Sequence, residues 1–213
     1  MKGTSLMGVS FYFNKLKTQI TMNYKKLLFV GLSLISMQSF AQSEENKTRK
    51  KLEIGTELQA YPVGFMPMIT SNVFLNEKWA LRFRIGGNFA DRQDFSGYND
   101  DEVAKGFGGS VGVVKYFSLW GKGQPFVGVT LDTWNMWTEW QDGLQTSNPT
   151  SGTTYNVVLQ PWANAGYQYP ISNKWNVSAS VGFGREINII TRGEKVGEGW
   201  MGIATFSVNY TFK

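Results

Sequence analysis

Any chemistry in this 213-residue chain must come from carboxylates, guanidiniums, amines and hydroxyls, because the chain contains no Cys and no His. The missing His removes the commonest general base, the usual zinc ligand and any Ser-His-Asp triad. The missing Cys removes disulfides, thiolate metal sites and a cysteine nucleophile. Hydrolytic, zinc-dependent and most redox chemistry is thereby disfavoured, and neither a metal nor a cofactor is expected. Six charged residues stand out because they fall on the otherwise polar, uncharged parity of extended segments: Glu53, Glu57, Arg82, Arg84, Lys115 and Asp132. On an extended chain, residues two or four apart share a face. Glu53 with Glu57, and Arg82 with Arg84, are therefore two same-face pairs, and their meaning depends on the strands that carry them.

Those strands show as period-two alternation. In Trp79–Phe89 the odd positions are Trp79, Leu81, Phe83, Ile85, Gly87 and Phe89, against Ala80, Arg82, Arg84, Gly86 and Asn88. Tyr155–Tyr169, Trp175–Phe183 and the final run from Trp200 to Phe212 follow the same scheme. Four weaker segments, Leu52–Ala60, Pro67–Leu75, Phe107–Phe117 and Phe126–Trp137, complete a set of eight. The Val113-Val114 pair leaves the register of Phe107–Phe117 open, and a bulge there would turn Lys115 to the same side as the other charges. Links after the second, fourth and sixth segments are tight and turn-rich. Those at Asp91–Lys105, Glu139–Thr153 and Arg185–Gly199 are longer and polar. Asn76-Glu77-Lys78-Trp79 and Ser172-Asn173-Lys174-Trp175 read as the same turn-to-strand boundary solved twice.

The N-terminal region has a different character. Met22-Asn23-Tyr24-Lys25-Lys26 is positive, Leu27–Met37 is an apolar run of 11 residues, and Ser39 and Ala41 are small residues just before Gln42. This is the layout of a secretory signal peptide, with an apolar run too short for a permanent span. The expected organisation is an upstream extension at 1–21 outside the natural leader, a cleaved signal peptide at 22–41, a tail at 42–51 and a barrel at 52–213. Five lysines and no acid precede Ala41. Removing them from the 21 basic residues leaves 16, equal to the 16 acids, so the formal charge of +5 gives no reason to expect a nucleic-acid partner.

Two closed barrels fit eight such strands. A soluble calyx points its apolar parity inward. A transmembrane barrel turns that parity to lipid and fills its interior with polar groups. Here the polar parity is rich in Ser, Thr, Asn, Gln and Gly and poor in charge, unlike a solvated surface. Aromatics also gather at strand ends, with Trp79, Trp175, Tyr169, Trp137 and Trp200 placed as membrane-interface residues. The expected fold is all-β: an eight-stranded antiparallel up-and-down transmembrane β-barrel. Its interior is just wide enough to be filled by side chains. Glu53, Glu57 and Asp132 against Arg82, Arg84 and Lys115 would then form a charge-balanced plug, with a selectivity ring as the alternative. Asp91, Asp94, Asp100, Asp101 and Glu102 lack EF-hand spacing and read as a solvated loop, not a cation site. Trp134, Trp137 and Trp140 read as interfacial anchors, ahead of a sugar- or partner-binding platform.

With these strands, and with the ending Phe206-Ser207-Val208-Asn209-Tyr210-Thr211-Phe212, the chain resembles the small eight-stranded outer-membrane β-barrels of Gram-negative bacteria: the transmembrane domain of outer membrane protein A and the OmpX- and OmpW-like proteins. The resemblance covers Leu52–Lys213. It implies that Phe206, Val208, Tyr210 and Phe212 form the C-terminal signal read by the barrel-assembly machinery, although Lys213 follows the aromatic that usually ends such chains. It also implies residence in the cell outer membrane, with lipid and lipopolysaccharide as partners and a monomeric state. Enzymatic relatives use a His-Ser pair that this chain cannot supply. The function expected is therefore non-enzymatic: anchoring in the membrane and display of short extracellular loops for surface integrity or adhesion. A narrow channel or transporter for small apolar molecules is the alternative, and a lipid-modifying enzyme relying on carboxylates alone is a more distant one.

Overall fold

In the computed structural model, residues 52–93, 98–118 and 122–212 are described. The upstream extension, signal peptide and tail expected at 1–51 lie outside them. Eight strands follow in order: β1 (Leu52–Tyr61), β2 (Gly64–Phe74), β3 (Trp79–Asp91), β4 (Asp101–Tyr116), β5 (Gln124–Asp142), β6 (Thr150–Pro170), β7 (Trp175–Arg192) and β8 (Gly199–Phe212). Each pairs antiparallel with its chain neighbour, and β8 returns to β1, from Leu52↔Phe212 to Ala60↔Ala204. Closure leaves no open sheet edge, so backbone donors and acceptors are satisfied strand to strand.

Both ends of the barrel are built by recognisable local chemistry. At the end that holds the termini, Asn76 Oδ1 accepts the Lys78 and Trp79 N–H groups at 2.8 and 2.9 Å. Ser172 Oγ does the same for Lys174 and Trp175 at 3.3 and 3.1 Å. Short side-chain acceptors that bond their own backbone two or three residues on fix such turns, and the two boundaries that look alike in sequence use one device. At the other end, called here the loop end, β1 and β2 meet through Pro62-Val63, with Tyr61 opposite Gly64.

The strands run farther than their hydrophobic pattern. β5, β6 and β7 hold 19, 21 and 18 residues, so the polar stretches that read as loops shrink to 92–100, 143–149 and 193–198. At ~3.4 Å per residue, β6 extends well beyond the ~25 Å apolar band of a membrane barrel. Past that band polar and apolar residues occur on both faces, as in Glu186-Ile187-Asn188-Ile189-Ile190 of β7. Alternation of hydropathy vanishes there while the hydrogen-bond ladder continues.

Polarity is inverted relative to a water-soluble core. The outward Val181 is 69% exposed, whereas the inward Asp132 is 0% exposed. Ile69, Ile85, Val129, Phe183 and Phe206 also point out, while Glu53, Gln59, Asn72 and Gln160 are buried. Large inward side chains are admitted by inward glycines. A Cβ on Gly108 would stand 2.7 Å from the Trp134 ring and 2.0 Å from the Thr133 carbonyl oxygen, and one on Gly106 would strike the Met136 sulfur.

One register differs from expectation. β4 pairs with β3 and β5 without a shift, so no bulge occurs at Val113-Val114. Val114 points inward with Ala80, Tyr116 and Phe126, and Lys115 therefore points outward. An apolar side chain inside the barrel broke the simple alternation on which the bulge was inferred. The irregularity lies instead between Val157 and Val158 of β6, opposite Ile189.

Gly108→Ala is expected to destabilise the barrel by about 1–3 kcal/mol, the usual cost of overpacking. Gly202→Ala, whose Cβ would meet nothing within 4 Å, should be neutral. Urea unfolding of the chain in lipid vesicles, followed by electrophoretic mobility of unheated samples, compares the two.

Candidate functional site

The buried polar groups of the lumen form three layers, the upper two separated by apolar side chains. Nearest the termini, the Glu53 carboxylate accepts hydrogen bonds from Asn72 (3.4 Å), Gln168 (3.0 Å), Asn176 (2.9 Å) and Thr211 (3.2 Å). These donors stand on β2, β6, β7 and β8, so one carboxylate ties together most of the barrel circumference. Arg82 Nε donates to Asn72 Oδ1 at 2.8 Å, and its guanidinium lies 5.5 Å from the Phe126 ring centroid. Asn72 thus couples Arg82 to Glu53.

Arg84 occupies the centre. Its Nη1 donates to Glu57 at 2.6 Å and to Gln59 at 2.9 Å, Nη2 to Asp132 at 2.5 Å and Nε to Ser110 at 2.7 Å. The guanidinium also sits 4.9 Å from the Trp162 ring. A single cation from β3 therefore reaches acceptors on β1, β4 and β5 and a ring on β6. Above it, Trp134, Met136, Met66 and Met201 belong to an apolar cluster, and the Trp134 indole N–H donates to Gln160 at 3.1 Å. Tyr61 donates across the lumen to Asn88 at 2.7 Å.

The loop-end layer centres on Arg92, which pairs with Glu186 and lies 3.5 Å from Glu102. Burial works against the Arg92 charge, but Glu186, Tyr61 and Glu102 around it together more than offset this, and the guanidinium pKa is raised. Glu102 also accepts the Gly197 N–H at 3.0 Å and the Asn99 amide at 2.8 Å. The 193–198 loop is held over this layer by the Thr154 hydroxyl on the Glu194 carbonyl (3.0 Å), Asn99 on the Lys195 carbonyl (3.0 Å) and Asn188 on the Val196 carbonyl (3.1 Å). Val196 is buried.

The structure thus brings together Glu57, Arg84 and Asp132, links Glu53 to Arg82 through Asn72, and excludes Lys115 from the lumen. It adds Arg92, Glu102 and Glu186. The charge balance inferred from sequence is corrected accordingly: among the described residues five carboxylates and three arginines are buried. Glu53 accepts hydrogen bonds from amide and hydroxyl donors on four strands, and Glu102 adds amide and backbone donors to its pair with Arg92; such donors stabilise a carboxylate. Glu102 is also no part of a solvated acidic loop. It lies on the inward parity of β4, a signal hidden because Ala104 is the next inward residue while Asp101, Val103 and Lys105 mix charge and apolar character on the outward parity.

On the outer surface, Trp175 meets Tyr210 at 5.2 Å, and Tyr210 meets Phe212 at 4.8 Å. Tyr169 and Trp79 share the terminus end. At the loop end, Trp137 packs on Phe107 and Tyr155 (5.8 and 5.5 Å), and Trp200 stacks on Phe183 at 5.2 Å. Phe206, Val208, Tyr210 and Phe212 share one face of β8, opposite Leu58, Thr56, Ile54 and Leu52 of β1. The three tryptophans of β5 do not act together. Trp137 points outward, while Trp134 is fully buried in the lumen and Trp140 is on the inward parity, against Gly152.

No family model matches the chain, and no curated protein matches it. Among solved structures it is similar to the N-terminal β-barrel domain of Pseudomonas aeruginosa OprF: 15% identity, 77% of this chain, 98% of that one, TM-score 0.43. It is also similar to Neisserial surface protein A, with 12% identity, 76% of this chain, 94% of that one and a TM-score of 0.49. The outer membrane protein AlkL, solved in lipid bilayers, has 12% identity, 80% and 94% coverage, and a TM-score of 0.45. At these identities the likeness is one of fold.

Removing the central cation leaves Glu57 and Asp132 facing each other without compensation. Arg84→Met should cost about 3–5 kcal/mol, as for other buried pairs stripped of one partner. Adding Glu57→Gln and Asp132→Asn should recover most of it. The same urea unfolding assay measures both variants, and Lys115→Met, outside the lumen, should leave stability nearly unchanged.

Proposed function

We propose that this chain is an integral protein of the bacterial outer membrane and not an enzyme: a monomeric barrel with a filled interior that anchors in lipid and presents the 92–100, 143–149 and 193–198 loops at the cell surface. One observation carries the reading. The apolar side chains stand on the exposed outer face while arginines and carboxylates are buried inside, and hydrocarbon is the solvent that such a surface matches. Short turns beside the termini and longer loops opposite follow the usual periplasmic and extracellular arrangement. The aromatic face of β8 is the segment offered to the barrel-assembly machinery, and the aromatic rings at both ends sit against lipid headgroups and lipopolysaccharide.

The filled interior favours an anchoring and display role over transport. Arg84 and Glu53 cross the lumen to several strands, and the 193–198 loop covers the upper mouth. Catalysis by carboxylates alone is disfavoured because Asp132 and Glu186, the acids it would need, are each engaged by a buried arginine.

The chain is expected in the membrane fraction, migrating differently with and without heating. Spin labels at Val177 and Ser178 separate the faces: the label at Val177 should meet a lipid-dissolved quencher and the label at Ser178 should not. Reversal of that pair overturns the membrane reading. A large steady conductance in planar bilayers overturns the filled interior and restores the channel.

A further inference from the structure

The outward face of β4 carries one lysine near each rim, and their surroundings differ. Lys105, at the loop end, has Glu139 of β5 at 3.8 Å. Lys115, one residue before the terminus-end limit of β4, has its Nζ 5.2 Å from the Trp79 ring and 5.4 Å from the Phe117 ring. Among the described residues no carboxylate stands within ion-pair distance of it. Lys78 adjoins: its carbonyl accepts the Tyr116 N–H at 2.6 Å, and the next residue, Trp79, is the cross-strand partner of Lys115. Lys122 follows in the turn after β4, and Lys174 lies 5.9 Å from the Tyr210 ring farther round the same rim. Against these four lysines, Glu77 is the one exposed acid of this rim among the described residues. The loop end has the opposite character, with Asp91, Asp100, Asp101, Glu139, Asp142, Glu194 and Glu198 against Lys105, Arg185, Arg192 and Lys195.

An ammonium at the edge of an apolar belt, flanked by rings and given no protein anion, is placed to meet a phosphate at headgroup depth. The rings bracket the amine by cation–π attraction while their edges rest on the glycerol and acyl boundary. We propose that Lys115 and Lys78, with Trp79 and Phe117, form a binding site for the phosphodiester headgroup of an anionic phospholipid in the leaflet beside the termini. A zwitterionic headgroup fits less well, because its own ammonium would face the lysines. The site rests on the membrane reading given above.

The test uses the full chain in nanodiscs of equal phosphatidylglycerol and phosphatidylcholine, with native mass spectrometry of the lipids retained on release. The wild-type chain should retain phosphatidylglycerol preferentially. The preference should fall about fivefold for each lysine removed in Lys115→Gln and in the Lys78→Gln/Lys115→Gln pair, persist in Lys115→Arg, and be unchanged in Lys105→Gln. Inorganic phosphate should displace no more phosphatidylglycerol than chloride does at matched ionic strength. Equal retention of the two lipids, an unaltered preference in the double variant, or specific displacement by inorganic phosphate overturns the site. The heat-dependent mobility shift shows that each variant is folded. A chain that fails to enter the membrane at all refutes the membrane reading itself, a result distinct from a folded barrel without lipid preference.

Discussion

A guanidinium at the centre of an eight-stranded barrel cannot turn to bulk water, so Arg84 must find its partners among the strands that surround it. It finds acceptors on β1, β4 and β5, and this fixes more than a local ion pair. Shifting any of those strands by one residue would turn its polar set outward and remove the matching oxygen from the lumen. Glu53 imposes the same condition on β2, β6, β7 and β8. Hydrocarbon sets only a loose requirement on the outward parity, which needs to be apolar and little more. The inward parity, where each charge answers another, is what specifies the register of the closed sheet.

Between the ionic layers lie Met66, Met136, Trp134 and Met201, and their size explains the glycines of β4. Gly106 and Gly108 face the lumen opposite Met136 and Trp134 of β5, so the two strands interlock small against large. The apolar layer excludes water from the Arg84 cluster below and the Arg92 cluster above. In such surroundings a satisfied polar network is strong and an unsatisfied one is costly. The glycine-rich stretch that weakens the strand signal is thus part of the interior packing.

Strand number, the direction of each face in the strongly alternating runs, and the closeness of Arg84 to Glu57 were legible because hydropathy alternates wherever lipid lies on one side and polar groups on the other. Legibility ended where either condition failed. At Val114 an apolar residue points inward, the parity is masked, and hydropathy alone places Lys115 on the wrong face. Trp134 reads as an interfacial ring for a related reason: tryptophan is expected at the membrane surface, and only the small residues facing it reveal space inside. Near the loop end, Glu102 and Glu186 stand where polar and apolar residues occur on both parities, as with Val103, Ala104 and Lys105 around the one and Arg185 and Ile187 around the other. Their membership of the lumen follows from ladder continuity, which a hydropathy pattern does not carry. Arg92, past the last residue of β3, had no periodic signal at all.

The distribution of engaged and disengaged groups bears on where activity can reside. Inside, Arg84 and Arg92 are engaged by carboxylates, Arg82 by an amide and an aromatic ring, and the mouth is covered by a loop held through its own backbone carbonyls. Opening a path would require separating buried charges from their partners, which is expensive in a low-dielectric interior. The exposed charges lie on the periphery: lysines beside aromatics at the terminus-end rim, and mostly acidic side chains at the other. The filled interior thus separates two chemically different rims, one carrying lysines and aromatic rings and the other mostly carboxylates.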